Sequence, residues 1–259
     1  MLNRKYTYYL KVFITALLLY SFSISVSGQK NVKYKPMNLP RYDKQYMHFG
    51  MSLGLNTMDF TIRLSDKIFH MDTVYAVECL RQPGFNINIV TNYNLYDNLS
   101  IRFLPGLIFG ERDLRYTIRN TDTTLNYVLM KIESTFLDFP LLIKYKSDRV
   151  NNFRAYLIGG GSFKYDLAAK THIKPEEKPL IRLIRPDVYY ELGVGFDFFL
   201  EYFKFAIELK LAVGTRNAVV YDDSQYTTSI EKMNSKMVIL SFLFEGSDLS
   251  NFNIFTKRR

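Results

Sequence analysis

The residues of this chain that could do chemistry sit at alternate positions. In "DVYYELGVGFDFFLEYFKFAIELKLAVG" (187–214), Glu191 and Asp197, then Lys204, Glu208 and Lys210, share one face. Leu192, Val194, Phe196 and Phe198, then Phe205, Ile207, Leu209, Leu211 and Val213, take the other. Arg102, Asp138, Lys144, Arg154, Lys164 and Asp166 lie on the matching polar face of other alternating segments. Eleven ionisable groups of both signs on one face admit two chemistries: a polar channel or catalytic cluster, or a mutually neutralising network. Buried charges are stable only when paired, so the expectation is a neutralising network that fills a narrow space.

A period of two belongs to β-strands, whose successive side chains point to opposite faces. Eight such segments follow one another, starting at "HFGMSLGLNTMDF" (48–60) and continuing around 84–94, 100–116, 133–146, 152–168, 187–200, 203–214 and 236–246. "YDNLS", "KSDRVNN" and "EYF" join alternate pairs at hairpin length, the first two with Asp/Asn/Ser turn chemistry. The intervening connections, about 61–82, 117–131, 169–186 and 215–235, are longer. Short turns would therefore gather at one rim of an up-and-down barrel and long loops at the other, as in outer-membrane barrels.

Alternation does not say which face is inside. A soluble barrel of lipocalin type would turn its apolar face inward around a ligand. Here the apolar face is bulky, in Phe, Leu, Ile and Tyr, while the other mixes Gly, Ala and Ser with both charge signs. An eight-stranded lumen is just wide enough to be filled by side chains, which suits the second set. The expected fold is all-β: an eight-stranded antiparallel up-and-down transmembrane β-barrel with a narrow, polar, side-chain-filled lumen.

The formal charge of +9 is carried by the ends of the chain. Residues 47–256 hold 23 basic and 24 acidic residues and are nearly neutral, so a nucleic-acid-binding face on the main domain is not expected. Arg4, Lys5 and Lys11 precede the apolar "VFITALLLYSFSISVSG", which has the form of a secretory signal ending before Gln29. The expected organisation is a signal peptide over 1–28, a basic periplasmic segment over 29–46, a barrel over 47–246 and a tail over 247–259. The basic segment offers Lys30, Lys33, Lys35, Arg41 and Lys44 as candidate contacts to a partner. Cys79 is the only cysteine, so no internal disulfide is possible.

Nucleophilic and metal chemistry find little support. His48 opens the first strand, and His70 and His172 fall in separate long loops, with no pair at metal-ligand spacing. No G-x-S-x-G motif occurs. "GERD" (110–113) and "KPEEKP" (174–179) are expected to be solvated charge clusters. "GGGSF" (159–163) lies within a strand and lacks the helix and Lys-Ser/Thr of a phosphate loop; its glycines suit barrel curvature or close packing. No cofactor, metal, nucleic acid or small-molecule substrate is expected.

"FLDFPLLIKY" (136–145) resembles a strand typical of the PorT family of Bacteroidetes outer-membrane barrels, and "PGLIFGERDLRY" (105–116) and "YLIGGGSFKYDL" (156–167) occupy the neighbouring strands. The segment "NVKYKPMNLPRYDKQYMHFGMSLGLN" before and into the first strand is similar as well. The resemblance implies a non-enzymatic component or assembly factor of the type IX secretion system, linked to gliding motility. It would be needed for export of cargo with C-terminal signals and would contact other proteins of that machinery and outer-membrane lipid. Independently of the resemblance, the even strand count with short turns at one rim places both termini on the periplasmic side. Alternatives are a structural or adhesin-like barrel with no secretion role and, more remotely, a small outer-membrane enzyme. "HIKPEEKPLIRLIRP" (172–186) is a further candidate contact or a self-packed cap. One departure from many outer-membrane barrels is the continuation past Phe244 to "GSDLSNFNIFTKRR", which leaves open whether Phe242 and Phe244 or Phe255 end the last strand.

Overall fold

The computed structural model describes residues 36–66, 68, 74–119, 125–169, 181–222 and 224–246. The signal-like stretch, Lys30, Lys33, Lys35, His70, His172, "KPEEKP" and the tail 247–259 lie outside them. Within the described part, residues from Met37 onward form one compact unit.

Ten strands make up its sheet: β1 (Met47–Leu64), β2 (Val74–Arg81), β3 (Pro83–Tyr96), β4 (Leu99–Phe103), β5 (Gly106–Arg119), β6 (Leu125–Lys146), β7 (Phe153–Asp166), β8 (Pro186–Phe199), β9 (Phe203–Gly214) and β10 (Ile230–Gly246). Every pairing is antiparallel. β1 pairs with β10 on one side and β3 on the other, and pairings run from β10 through β9, β8, β7 and β6 back to β4, β5 and β3. That circuit closes the sheet on itself. Two of the ten strands are halves of longer ones. Pro105, with no N–H to give a ladder, separates β4 from β5, yet both pair with β3 and β6. β2 and β3 run along the same partner, with Arg81 opposite Arg112 and Phe85 opposite Phe109, and Gln82 is the irregular residue between them. Counted by their paths round the circuit, the strands are the expected eight.

Short links 97–98, 147–152 and 200–202 gather at one end, here the turn end, together with the start of β1 and the finish of β10. Three of the four links at the opposite, loop end are shorter than expected, while the fourth, 167–185, keeps its expected length. Between β5 and β6 only 120–124 separates the strands, although the sequence suggested a loop over 117–131. Likewise 61–64, 74–81 and 230–235 are strand rather than loop.

The reason is an inversion of polarity. On β1, Phe49, Met51, Leu53 and Leu55 face outward and His48, Ser52 and Asn56 inward. Past Thr57 the outward residues become Asp59, Thr61 and Arg63, and the inward ones Met58, Phe60 and Ile62. β6 does the same, with Lys131 and Glu133 outward and Met130 and Ile132 inward. Each strand continues without a break while the hydrophobic face changes sides. A pattern test that expects one apolar face stops at the switch.

Below the switch the outward band is bare of charge. From Phe205 to Val213 it climbs about 20 Å at a rise of about 3.3 Å per residue and a tilt of about 40°. Aromatic residues mark both margins: Tyr46, Tyr96, Tyr145 and Tyr202 at the turn end, and Tyr190 and the stacked pair Phe85–Phe109 (4.8 Å) at the upper edge. This is the girdled band of a barrel embedded in lipid.

Above the switch the barrel resembles a soluble protein. An inner cluster of Phe60, Leu114, Tyr116, Met130, Ile132 and Met233 is lidded by Ile181, Leu183, Ala218 and Val219. The lid is two loop segments tied by Ile184 N to Ala218 O and Val220 N to Arg182 O, both 2.9 Å. Residues 181–185 of the segment proposed as contact or cap thus act as a cap. Asp222 fastens the second segment, accepting from Ser224 Oγ (2.5 Å) and Thr227 Oγ1 (2.6 Å), and meeting Arg182 at 3.3 Å. Burial opposes its ionisation, but these donors outweigh it and hold the carboxyl at about 2, below its ordinary 3.8. The lone thiol of Cys79 lies half-buried on the underside of β2, where burial pushes it up to about 11 and keeps it protonated at neutral pH.

Leu209→Arg places a cation at mid-height on the outward face and should cost about 2–4 kcal/mol in urea unfolding from lipid vesicles. Asp222 has a folded-state value below its unfolded one, so its stabilising contribution is full above about pH 4 and fades as pH falls towards 2. Protease resistance of the 215–229 loop should weaken over that window, and Asp222→Asn should remove the dependence.

Candidate functional site

The lumen is built from two unlike walls. β1, β3, β4 and β5 contribute small residues, among them Ser52, Asn56, Asn86, Asn88, Ser100 and Gly106. β6 to β10 contribute most of the long charged ones, which reach into the space the small residues leave, and Arg102 on β4 reaches across from the other side. All eleven ionisable residues picked out from the sequence are buried. They do not form one cluster. They form layers, separated by apolar ones.

Nearest the turn end, Lys144 Nζ pairs with Asp197 (2.8 Å), Lys204 with Glu245 (2.8 Å) and, more loosely, Asp197 (3.6 Å). Arg102 crosses the lumen from β4 to Glu208 on β9 (2.8 Å) and Glu245 on β10 (3.1 Å). Three cations thus meet three carboxylates. Tyr156 lies among them, donating to Glu208 (2.7 Å) while Lys144 Nζ sits 3.5 Å from its ring centroid. Gly195 makes room for that ring: a Cβ there would come within 2.3 Å of it.

Val90, Leu104, Leu142, Ile158, Ala206 and Leu243 form the next layer, which is apolar. Above it Lys164 bridges Asp138 (2.6 Å) and Glu191 (2.8 Å), and Lys210 reaches Glu191 at 3.0 Å. Two cations meet two carboxylates, with Ser162 Oγ donating to Asp138. A second apolar layer follows, including Met58, Ile108, Phe136, Tyr189 and Met237.

Above that, Asp166 accepts from Thr135 N (3.2 Å) and Ala168 N (3.0 Å) and lies 4.0 Å from Arg112. A gap beside Arg112, Phe136, Asp187 and Tyr189 holds about 10 Å³, at the lower limit for one water.

Arg154 departs from the simple picture. Register sets it opposite Asp197, yet its ion pair is with Asp43 (2.9 Å), which enters the mouth on a 3-10 turn, Tyr42–Lys44. Asp43 also meets Arg149 at 3.3 Å, and Arg149 lies 3.6 Å over the Phe199 ring. Tyr42 stacks on His48 (3.8 Å between centroids) and donates to Glu245 (2.8 Å). Burial, reinforced by Glu245, raises the Tyr42 phenol well above its ordinary range, so it remains a donor. Arg41 and Lys44, on the same turn, are exposed. The turn therefore buries its Tyr–Asp side in the mouth and presents its basic side outward.

Several members of this arrangement escaped the sequence reading. Glu245 had a signal, since it shares the inward parity of Ser241 and Leu243, but the inward face of its strand is less polar than those of the others. Arg112 was assigned to a solvated "GERD" cluster; it is 1% exposed, donates to Ser235 (2.7 Å) and Ser134 (2.9 Å), and lies 4.0 Å from the Phe60 centroid. Its inward parity with Ile108 and Gly110 was the missed clue. His48, at the opening of the first strand as expected, is 2% exposed inside the mouth. Tyr42 and Asp43 precede any strand and carry no periodic signal. Among the described residues no group of three His, Cys, Asp or Glu is arranged to hold a metal ion.

Comparison with known proteins follows this architecture. Residues 29–218 match the family described as outer membrane protein beta-barrel domain. No curated protein matches the sequence. Among solved structures, OprG from Pseudomonas aeruginosa is similar at 12% identity and a TM-score of 0.41, over 78% of this chain and 94% of that one. Neisserial surface protein A is similar at 9% identity and 0.40, over 76% and 96%. The outer membrane protease OmpT from Escherichia coli is similar at 10% identity and 0.41, over 79% and 97%.

The lowest charge layer yields a direct test. Removing one partner of a buried pair strands the other, at about 3–5 kcal/mol. Arg102→Met should lower unfolding free energy in vesicles by that order. Adding Glu208→Gln should restore part of the loss, because the neutral amide no longer needs the guanidinium.

Proposed function

The chain belongs to the outer membrane protein beta-barrel domain family, and on that premise we propose that it is a non-enzymatic component or assembly factor of the type IX protein secretion system. The observation that carries this reading is the filled lumen. Alternating ionic and apolar layers with a cross-lumen Arg102 leave no passage for an unfolded chain, let alone a folded cargo. The work of such a barrel falls to its ends and its outer wall.

In this reading the turn end faces the periplasm, residues 1–28 direct export, and the segment 29–46 meets an acidic surface on another protein of the machinery. The anchored turn supports it: Tyr42 and Asp43 hold the segment while Arg41 and Lys44 project from it. The resemblance of "FLDFPLLIKY" and its neighbouring strands to the PorT family supplies the secretion role.

The test is secretion of a cargo bearing the C-terminal signal, followed by immunoblot of periplasm and medium. A strain lacking the chain should trap cargo in the periplasm, and the intact gene should rescue it. Charge reversal at Lys30, Lys33, Lys35, Arg41 and Lys44 leaves Tyr42 and Asp43 in place. It should block export while the barrel still reaches the membrane. Normal export in the deletion strain would overturn the proposal and leave a structural or adhesin-like barrel. In planar bilayers the purified protein should show no steady ion conductance.

A further inference from the structure

Above the lipid band, β2, β5 and β6 continue as a three-stranded wall with two unlike faces. Its inner face, with Val77, Leu114, Tyr116, Val128 and Met130, packs on the loop-end cluster. Its outer face carries large side chains that pack against no other element among the described residues. Tyr75 and Tyr127 are 66% and 67% exposed, and Leu125 and Leu129 about half. Two guanidiniums stand beside the rings: Arg119 at 5.9 Å from the Tyr75 centroid and Arg115 at 5.8 Å from that of Tyr127. Arg115 also pairs with Glu78. Arg119 has no carboxylate within ion-pair distance among the described residues.

Height and continuity narrow the occupant. The face is the upward extension of strands whose lower outward residues, Leu107, Phe109, Leu137 and Phe139, belong to the lipid band. Tyr127 stands eight residues beyond Thr135, which pairs with Phe109 at the top of that band. At the same rise and tilt that is about 20 Å. Phospholipid headgroups extend only about 5–8 Å beyond the hydrocarbon. A molecule rooted in the band beside this wall and rising far enough to meet Tyr75 and Tyr127 needs a headgroup several times longer. Exposed aromatic faces suit the apolar C–H faces of sugar rings, and guanidiniums bind phosphate in bidentate fashion.

We propose that the outer face of β2, β5 and β6 at Tyr75, Arg115, Arg119 and Tyr127 binds the saccharide–phosphate headgroup of an outer-leaflet glycolipid, with the acyl chains on the apolar band beneath. Its position in the cell rests on the orientation given above, with the loop end outward; the binding chemistry does not.

The experiment separates the two. Full-length protein in detergent is titrated with lipopolysaccharide carrying its core sugars, with lipid A alone and with phosphatidylglycerol, followed by the thermal unfolding midpoint and by native mass spectrometry. Wild type should bind the sugar-bearing form at least tenfold more tightly than the other two. The variant Y75A/R115A/R119A/Y127A, altered at three exposed positions and the half-exposed Arg115, should lose that preference while keeping its unfolding midpoint without ligand. Equal binding of all three lipids, or an unchanged preference in the variant, would overturn the proposal. So would a protein that co-purifies with wild type and is lost from the variant while glycolipid binding persists, which would make the face a protein-docking surface. Labelling of Tyr75→Cys on intact cells by a membrane-impermeant maleimide reads orientation by itself. Failure there would sink the orientation and leave the in vitro binding result standing.

Discussion

Arg102 states the constraint that shapes this molecule. It starts on the wall of small residues, crosses the lumen and ends between Glu208 and Glu245 on the far wall. A charge inside a barrel this narrow has neither bulk water nor a mobile counter-ion, so each one must be matched by a protein group. Three cations against three carboxylates in one layer, and two against two in the next, satisfy that condition locally. Apolar layers between them keep the networks apart and fill the remaining volume. The small residues of β1, β3, β4 and β5 follow from the same demand, since large side chains on both walls could not coexist.

The second organising feature is the exchange of polarity part-way up the strands. Below it, lipid receives the apolar side chains and the interior takes the polar ones. Above it, water takes the charged residues and the interior becomes an ordinary hydrophobic core capped by 181–185 and 217–220. The β-ladder is indifferent to the change, because its hydrogen bonds run between backbones. A single set of strands therefore spans two solvents, and the height of the switch marks the upper margin of the membrane.

At the turn end the lumen is finished by a piece of chain that is not strand. Tyr42 and Asp43 supply the phenol and the carboxylate that His48, Arg149, Arg154 and Glu245 would otherwise lack. A side-chain key closes one end of the lumen and an apolar lid the other, and what the barrel presents beyond them is surfaces. The basic side of the 3-10 turn and the aromatic–cationic face above the band are two that the fold holds in fixed positions.

The period of two, the Gly/Ser/Asn-rich inner face, the balance of charge over 47–256 and the hairpin turns were legible in the sequence, because each is set by neighbours two to five residues apart. They were enough to indicate an eight-stranded barrel and to place Arg102, Asp138, Lys144, Lys164, Glu191, Asp197, Lys204, Glu208 and Lys210 on its inside. Strand ends at the loop end were not legible, since the apolar face changes sides there and the signal cancels. Nor were the partners. Period fixes the face of a residue but not its height, which depends on the stagger between strands and on side-chain reach across the lumen. Arg154 faces Asp197 in register and bonds to Asp43; Arg102 finds Glu245, 143 residues away. Those choices exist only once the sheet has closed, because closure brings β1 against β3 and β10 and sets every wall at a distance from the one opposite.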